Sequence, residues 1–185
     1  MGPPGAGKGT QSSWVASHCD VPTISTGDMF RALQTADTAL AAQVRETMAR
    51  GGYVDDDTTN AIVADRLGAP DSSVGFLLDG YPRTLSQVRA LDDMLAAAGE
   101  RLDAVICLQA DEEELVQRLL GRGLEQGRTD DSESTIRSRL ALYRQQTAPL
   151  IDEYRRRGLL AEVDGLGAVE LVSERIHQAL TALTS

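Results

Sequence analysis

The chain has 185 residues, 42% hydrophobic and 25% charged, with 28 acidic against 18 basic side chains and a formal net charge of −10. That length suits one domain with an ordinary core, and the composition excludes disordered and fibrous classes. So acidic a chain is not expected to bind nucleic acid or anionic membrane non-specifically, and any anion site must be a local cluster of positive groups. No apolar run approaches the span of a membrane helix. The N-terminal Met1-Gly2-Pro3-Pro4 does not read as a signal peptide, Ala6 breaks a myristoylation pattern, and Cys19 and Cys107 lie too far apart for a disulfide framework or zinc cage. A cytoplasmic location is expected. The basic side is lopsided: seventeen arginines and one lysine, Lys8.

In chain order, a glycine-rich opening precedes a helix from Lys8 to about His18. Val21–Ser25 reads as a short strand, and Gly27-Asp28 starts a helical stretch through Arg50, stopped by Gly51-Gly52. A helix is expected over Asp57–Leu67, then a buried strand at Val74–Leu78, a helix over Leu85–Ala98 and a strand at Ala104–Leu108. Asp111 caps a helix to about Leu120. Ser132–Arg157 reads as one long helix bent at Pro149, followed by a strand at Leu159–Val163 and a helix over Val169–Leu183. Short apolar strands alternating with helices predict an α/β fold, a parallel sheet covered on both faces with ligands at the carboxyl ends of its strands. Segments 25–54 and 121–131 break the alternation and read as an insertion and a short cover over that edge, within a single domain of residues 1–185.

Gly2-Pro3-Pro4-Gly5-Ala6-Gly7-Lys8-Gly9-Thr10 is expected to bind phosphate. Glycines let backbone N–H groups turn inward, the following helix adds its N-terminal dipole, and Lys8 supplies a mobile point charge. The general P-loop pattern is met loosely, since Gly9 takes the hydroxyl position and Thr10 follows. Arg31, Arg83, Arg118, Arg122, Arg128 and Arg139 fall on the predicted binding edge, as transfer of a phosphoryl group requires, whereas Arg45, Arg89 and Arg155 read as solvated. Asp79 ends a strand near the loop, where a carboxylate suits the waters of Mg²⁺. His18 and His177 read as isolated structural residues.

The whole chain resembles the adenylate kinases, a nucleoside monophosphate kinase family. The resemblance rests on Gly2–Gln11, on Ser25-Thr26-Gly27-Asp28-Met29-Phe30-Arg31, and on Asp79-Gly80-Tyr81-Pro82-Arg83-Thr84 followed by Gln87. Gly121-Arg122, Arg128-Thr129-Asp130-Asp131, Arg139 and Val163-Asp164-Gly165 complete it. It implies phosphoryl transfer between Mg·ATP and AMP, a short lid without zinc-binding cysteines, and a monomer. It assigns Gly5, Ala6, Gly7, Lys8, Gly9, Thr10, Arg118, Arg122 and Gly167 to ATP. Thr26, Arg31, Met48, Val54, Gly80, Arg83, Gln87, Arg128 and Arg139 go to AMP, with Thr26 and Gln87 reading the base and Met48 and Val54 flanking it. Lys8, Arg83, Arg122, Arg128 and Arg139 carry catalysis, Asp79 reaches Mg²⁺ through water, and Asp130 and Asp131 orient lid arginines or cap a helix.

Two rivals differ in acceptor or activity: a UMP/CMP kinase, and a non-catalytic nucleotide-binding remnant. A GTPase is excluded because Asn-Lys-x-Asp cannot be written with Asn60 and Lys8 as the sole asparagine and lysine. Only Met1 precedes the loop, which ordinarily follows a buried strand. The resemblance places that strand at the centre of the sheet, so a gap is expected between the Val74–Leu78 and Ala104–Leu108 strands. A misplaced start is favoured over truncation or natural divergence as its cause.

Overall fold

The computed structural model describes residues 1–126 and 132–184. The elements run α1 (Lys8–Cys19), β1 (Thr23–Ser25), α2 (Thr26–Leu33), α3 (Ala39–Ala49), α4 (Asp56–Leu67), β2 (Leu77–Asp79), α5 (Leu85–Ala98), β3 (Val105–Gln109), α6 (Glu112–Gln126), α7 (Glu133–Leu142), α8 (Pro149–Arg156), β4 (Leu160–Asp164) and α9 (Val169–Thr184). Polar residues start many of the helices. The side chains of Ser25, Thr38, Asp55, Thr84 and Ser132 each accept a hydrogen bond from a backbone N–H three residues on, which satisfies a donor the helix itself leaves open.

Among the described residues the strands form two parallel pairs. β1 lies beside β2, from Thr23↔Leu77 to Ser25↔Asp79, and β3 beside β4, from Val105↔Leu160 to Gln109↔Asp164. The pairs are not hydrogen-bonded to each other, and Leu77 and Leu78 of one and Val105 and Ile106 of the other line a common cavity. This is the gap expected from the sequence. Met1 occupies its rim: its amino group donates to the Ile106 carbonyl, and its carbonyl accepts from the Leu108 N–H at 3.0 Å.

β3 shows how helices cover both faces. Leu108 packs with Val15 of α1, Leu115 and Leu119 of α6, and Val172 and Ile176 of α9. Val105, three residues back and so on the opposite face, packs with Val88 of α5 and Leu150 and Tyr154 of α8. Each such aliphatic side chain contributes about 1.5–3 kcal/mol on burial.

Several boundaries depart from the sequence reading. The strand expected at 74–78 begins only at Leu77; Pro70 instead starts a 3₁₀ turn that ends at Val74, which is 71% exposed. Proline fits the first turn of such a helix because it has no N–H to lose. The helical stretch 27–50 is two helices, because Thr38 caps a new one. The long helix 132–157 is interrupted at Tyr143–Thr147 by a π-turn, ahead of Pro149 rather than at it. The proline ring would clash with the carbonyl four residues earlier, and the wider turn makes room for it. α6 continues to Gln126, so the first half of the expected 121–131 cover is helical. Among the described residues no helix is long and apolar enough to cross a membrane.

Candidate active site

The phosphate-binding loop sits at the start of α1. Gly7 has a left-handed backbone, φ 86°, where a side chain would be strained. Ala6, 1% exposed, anchors the loop in the core beside Val15, and its N–H donates to the Pro3 carbonyl at 3.2 Å. Gly5, Gly7, Lys8, Gly9 and Thr10 line a cavity of about 970 Å³. Lys8 Nζ donates to the carbonyls of Gly2 and Pro3, both at 2.8 Å, so the ammonium lies back over its own loop. Asp79, at the carboxyl end of β2, faces the loop closely: a Cβ added to Gly9 would lie 3.9 Å from its Oδ2.

The acceptor-side residues converge on the same cavity. Thr26, Arg31, Met48, Val54, Gly80, Arg83 and Gln87 all line it. Val54 packs with Phe30 and Val44, with the half-buried Met48 and with Ile62 of α4, in a small apolar cluster separate from the main core. Arg31 pairs with Asp28, an exposed contact that a phosphate can replace. Arg83 donates from Nε to the Gly80 carbonyl at 2.6 Å and lies 4.8 Å from the centre of the Tyr53 ring. Gly80 has φ 83°, and a Cβ there would come within 2.8 Å of Thr26 Oγ1 and 2.9 Å of Arg83 Nη2. Close approach therefore demands glycine at this turn. Thr26 and Gln87, each 2% exposed, are already engaged. Thr26 Oγ1 donates to the Gly80 carbonyl at 3.0 Å, while Gln87 bonds through both ends of its amide.

Arg118 and Arg139 also line the cavity, Arg139 beside the acceptor segment, where a Cβ added to Gly51 would lie 2.9 Å from its Cγ. Arg118 pairs with Glu114 at 2.9 Å and donates to the Gly165 carbonyl at 3.2 Å, which sets it beside the turn after β4. Gly167, assigned to ATP by resemblance, lies in that turn but is not among the cavity-lining residues. The backbone of Arg122 lies in α6. Arg128, Asp130 and Asp131 lie outside the described residues. His18 and His177 are not isolated: their rings meet edge-on at 4.9 Å, and His18 stacks on Trp14 at 5.0 Å.

Asp56, Tyr53 and Thr147 escaped the sequence reading, and Tyr81 entered it only as part of the Asp79–Thr84 motif, with no role. Asp56 accepts from Gln87 Nε2 at 2.7 Å and from Thr84 Oγ1 at 2.8 Å. Tyr53 bonds Thr147 through its hydroxyl at 2.9 Å, and Thr147 Oγ1 donates to the Arg83 carbonyl at 2.9 Å. Tyr81 donates to Asn60 Oδ1 at 2.7 Å; burial, then the nearby Asp56 charge, holds its phenol well above the ordinary pKa. Within the run Asp55-Asp56-Asp57 nothing distinguishes Asp56 from a helix-capping carboxylate, and it is Asp55 that caps.

The donor set suits Mg²⁺ brought in with a nucleotide. That ion keeps most of its waters and takes one or two carboxylates plus phosphate oxygens, and Asp79 offers a single carboxylate beside the phosphate loop.

A family model described as "Adenylate kinase" matches residues 1–159. The chain is 53% identical to an adenylate kinase of Nocardioides sp. over 183 residues, 99% of this chain and 96% of the relative. It is similar at 56% identity to the adenylate kinase of Leifsonia xyli subsp. xyli, covering 97% and 90% of the two chains. With that of Thermobifida fusca it shares 50% identity over 185 residues, 100% and 96% of the two.

Proposed function

This chain belongs to the adenylate kinase family of phosphotransferases, and from that premise we propose that it catalyses Mg·ATP + AMP ⇌ 2 ADP. The observation that carries the substrate pair is that one cavity is lined by Lys8 of the phosphate loop, by Arg31, Arg83 and Arg139, which the resemblance gives to the acceptor, and by Arg118, which it gives to the donor. In a protein of net charge −10, that concentration of cations is what two phosphate chains brought head to head require.

The reaction forms one bond between an AMP phosphate oxygen and the γ-phosphorus and breaks the bond from that phosphorus to the β–γ bridging oxygen. Little covalent work falls to the protein; its task is positioning and stabilising charge. Arg31 and Arg83 grip the acceptor phosphate. Lys8 leaves the Gly2 and Pro3 carbonyls for the phosphates and follows the transferring group. Arg118 stacks its planar guanidinium on the donor base. Arg122, Arg128 and Arg139 close over the phosphoryl group and exclude water, which would otherwise turn transfer into hydrolysis. Asp79 would hold the waters of a Mg²⁺ ion brought in with ATP, which would supply positive charge to the phosphate chain.

Thr26 and Gln87 support AMP as the acceptor, since a hydroxyl and a carboxamide complement the adenine edge. A coupled assay with AMP, CMP, UMP and GMP as acceptors tests the reading: AMP should lead in kcat/KM. Equal or faster turnover of UMP or CMP would reassign the enzyme to pyrimidine monophosphates.

A further inference from the structure

A primary amide has nearly the same shape either way round, so what surrounds it decides which end donates. At Gln87 two neighbours decide together. The Arg83 backbone N–H, which can only donate, lies 2.7 Å from Oε1, and the Asp56 carboxylate, which accepts, lies 2.7 Å from Nε2. Reversing the amide would set N–H against N–H and oxygen against carboxylate. Asp56 is held in turn. Its second oxygen accepts from Thr84 Oγ1 at 2.8 Å, and it stands in the first turn of α4, where the helix dipole favours a negative charge. Gln87 itself is 2% exposed, so the lock is shielded from competing water.

Beyond those two bonds the amide has one lone pair on Oε1 and one N–H on Nε2, in a fixed order. That order complements a base edge with an amino group next to an unprotonated ring nitrogen, as in adenine. It opposes a lactam edge, carbonyl beside ring N–H, as in guanine or hypoxanthine, at both positions. Thr26 acts in the same direction: its hydroxyl proton is directed at the Gly80 carbonyl, at 3.0 Å, so it meets a base as an acceptor.

We propose that Asp56 is a specificity-determining positioning residue, which by orienting the Gln87 amide makes the acceptor site prefer an amino-bearing purine monophosphate over a lactam one. This rests on the reading of the reaction above. It is tested by comparing AMP and GMP as acceptors at saturating ATP in the wild type, Asp56→Asn and Asp56→Glu. Asn keeps the size but can turn a donor toward Gln87 and release the lock; Glu remains an acceptor. The AMP-to-GMP ratio of kcat/KM should fall about tenfold in Asp56→Asn, on the scale of one discriminating polar contact. The change should lie in the acceptor KM, with the KM for ATP held within about twofold, and Asp56→Glu should recover most of the ratio. A ratio unchanged in Asp56→Asn, or an ATP KM that rises in parallel, overturns the proposal.

A second measurement needs no variant. In the wild type, inosine monophosphate should bind more weakly than purine riboside monophosphate, which lacks any group at the base's sixth position, because a locked amide repels the lactam edge. Equal or tighter binding of inosine monophosphate shows a freely turning amide and overturns the lock. A wild type without preference for AMP would instead sink the proposed reaction, so the two failures are told apart.

Discussion

At the scale of single residues, Lys8 illustrates why charge alone does not define a role. Its Nζ bonds two carbonyls of its own loop, Gly2 and Pro3, at 2.8 Å each. Three rotatable donors on a flexible stem can exchange those carbonyls for phosphate oxygens one at a time, whereas a planar guanidinium engages as a rigid fork. Lys8→Arg keeps the charge and should still lower kcat by about 100-fold or more, the scale of losing one preorganised donor to a transition state. The melting temperature should stay near the wild-type value, since Lys8 lies at the solvated edge of the loop. Turnover within a few-fold of wild type would remove the role given to this lysine.

Among the elements, α2 and α3 have the packing of a movable unit. Their cluster of Phe30, Val44 and Val54 is small and separate from the core that joins α1, α6, α7 and α9. Arg45 donates to the Gln34 and Ala36 carbonyls and so braces the link between the two helices, which allows them to travel together. With Arg31, Met48 and Val54 all on the cavity wall, a bound acceptor touches this unit directly. A bisubstrate analogue should therefore slow amide hydrogen exchange across α2 and α3 well beyond the change in α9. Exchange that is unaltered in both helices would mean the segment does not close on its ligand.

Over the whole molecule, the salient feature is the break between the two strand pairs. Among the described residues β2 presents an unpaired edge to the cavity, β3 presents one bonded only to Met1, and the Tyr154 hydroxyl is buried with no hydrogen-bond partner. Unpaired strand edges and orphaned hydroxyls both cost stability. Burial, reinforced by the nearby Lys8 charge, lowers the Met1 amino group from its ordinary pKa of 8.0 to about 6. In a polypeptide that starts at Met1, this amine's contribution is fully present above pH 8 and is lost as pH falls through 6. It amounts to about 2–3 kcal/mol at 1.36 kcal/mol per unit. Placing a Val/Leu-rich segment of about six residues ahead of Gly2 should fill the gap, raise unfolding stability by about 5 kcal/mol and abolish that pH dependence. Urea unfolding at pH 6 and 8 with and without the segment decides the matter: equal stability would show that the gap does not accept a strand.

The sequence by itself determined what depends on neighbours along the chain. The glycine spacing and lysine of the loop, the alternation of apolar strands with helices, and the turn Gly80–Arg83 are local patterns, and the alternation recurs in the folded chain as parallel strands between helices. The gap was legible too, because a loop of this kind calls for a strand before it. Only the tertiary structure decided matters that turn on residues far apart. Asp56 and Gln87 are 31 positions apart, and their contact turns a base-reading amide into one with a set orientation. Tyr53 and Thr147, 94 positions apart, bond each other and both touch Arg83, the ring at its guanidinium and the threonine hydroxyl at its carbonyl. Hydrogen-bond direction at a buried amide is a property of its surroundings, and those surroundings exist only once the chain has folded.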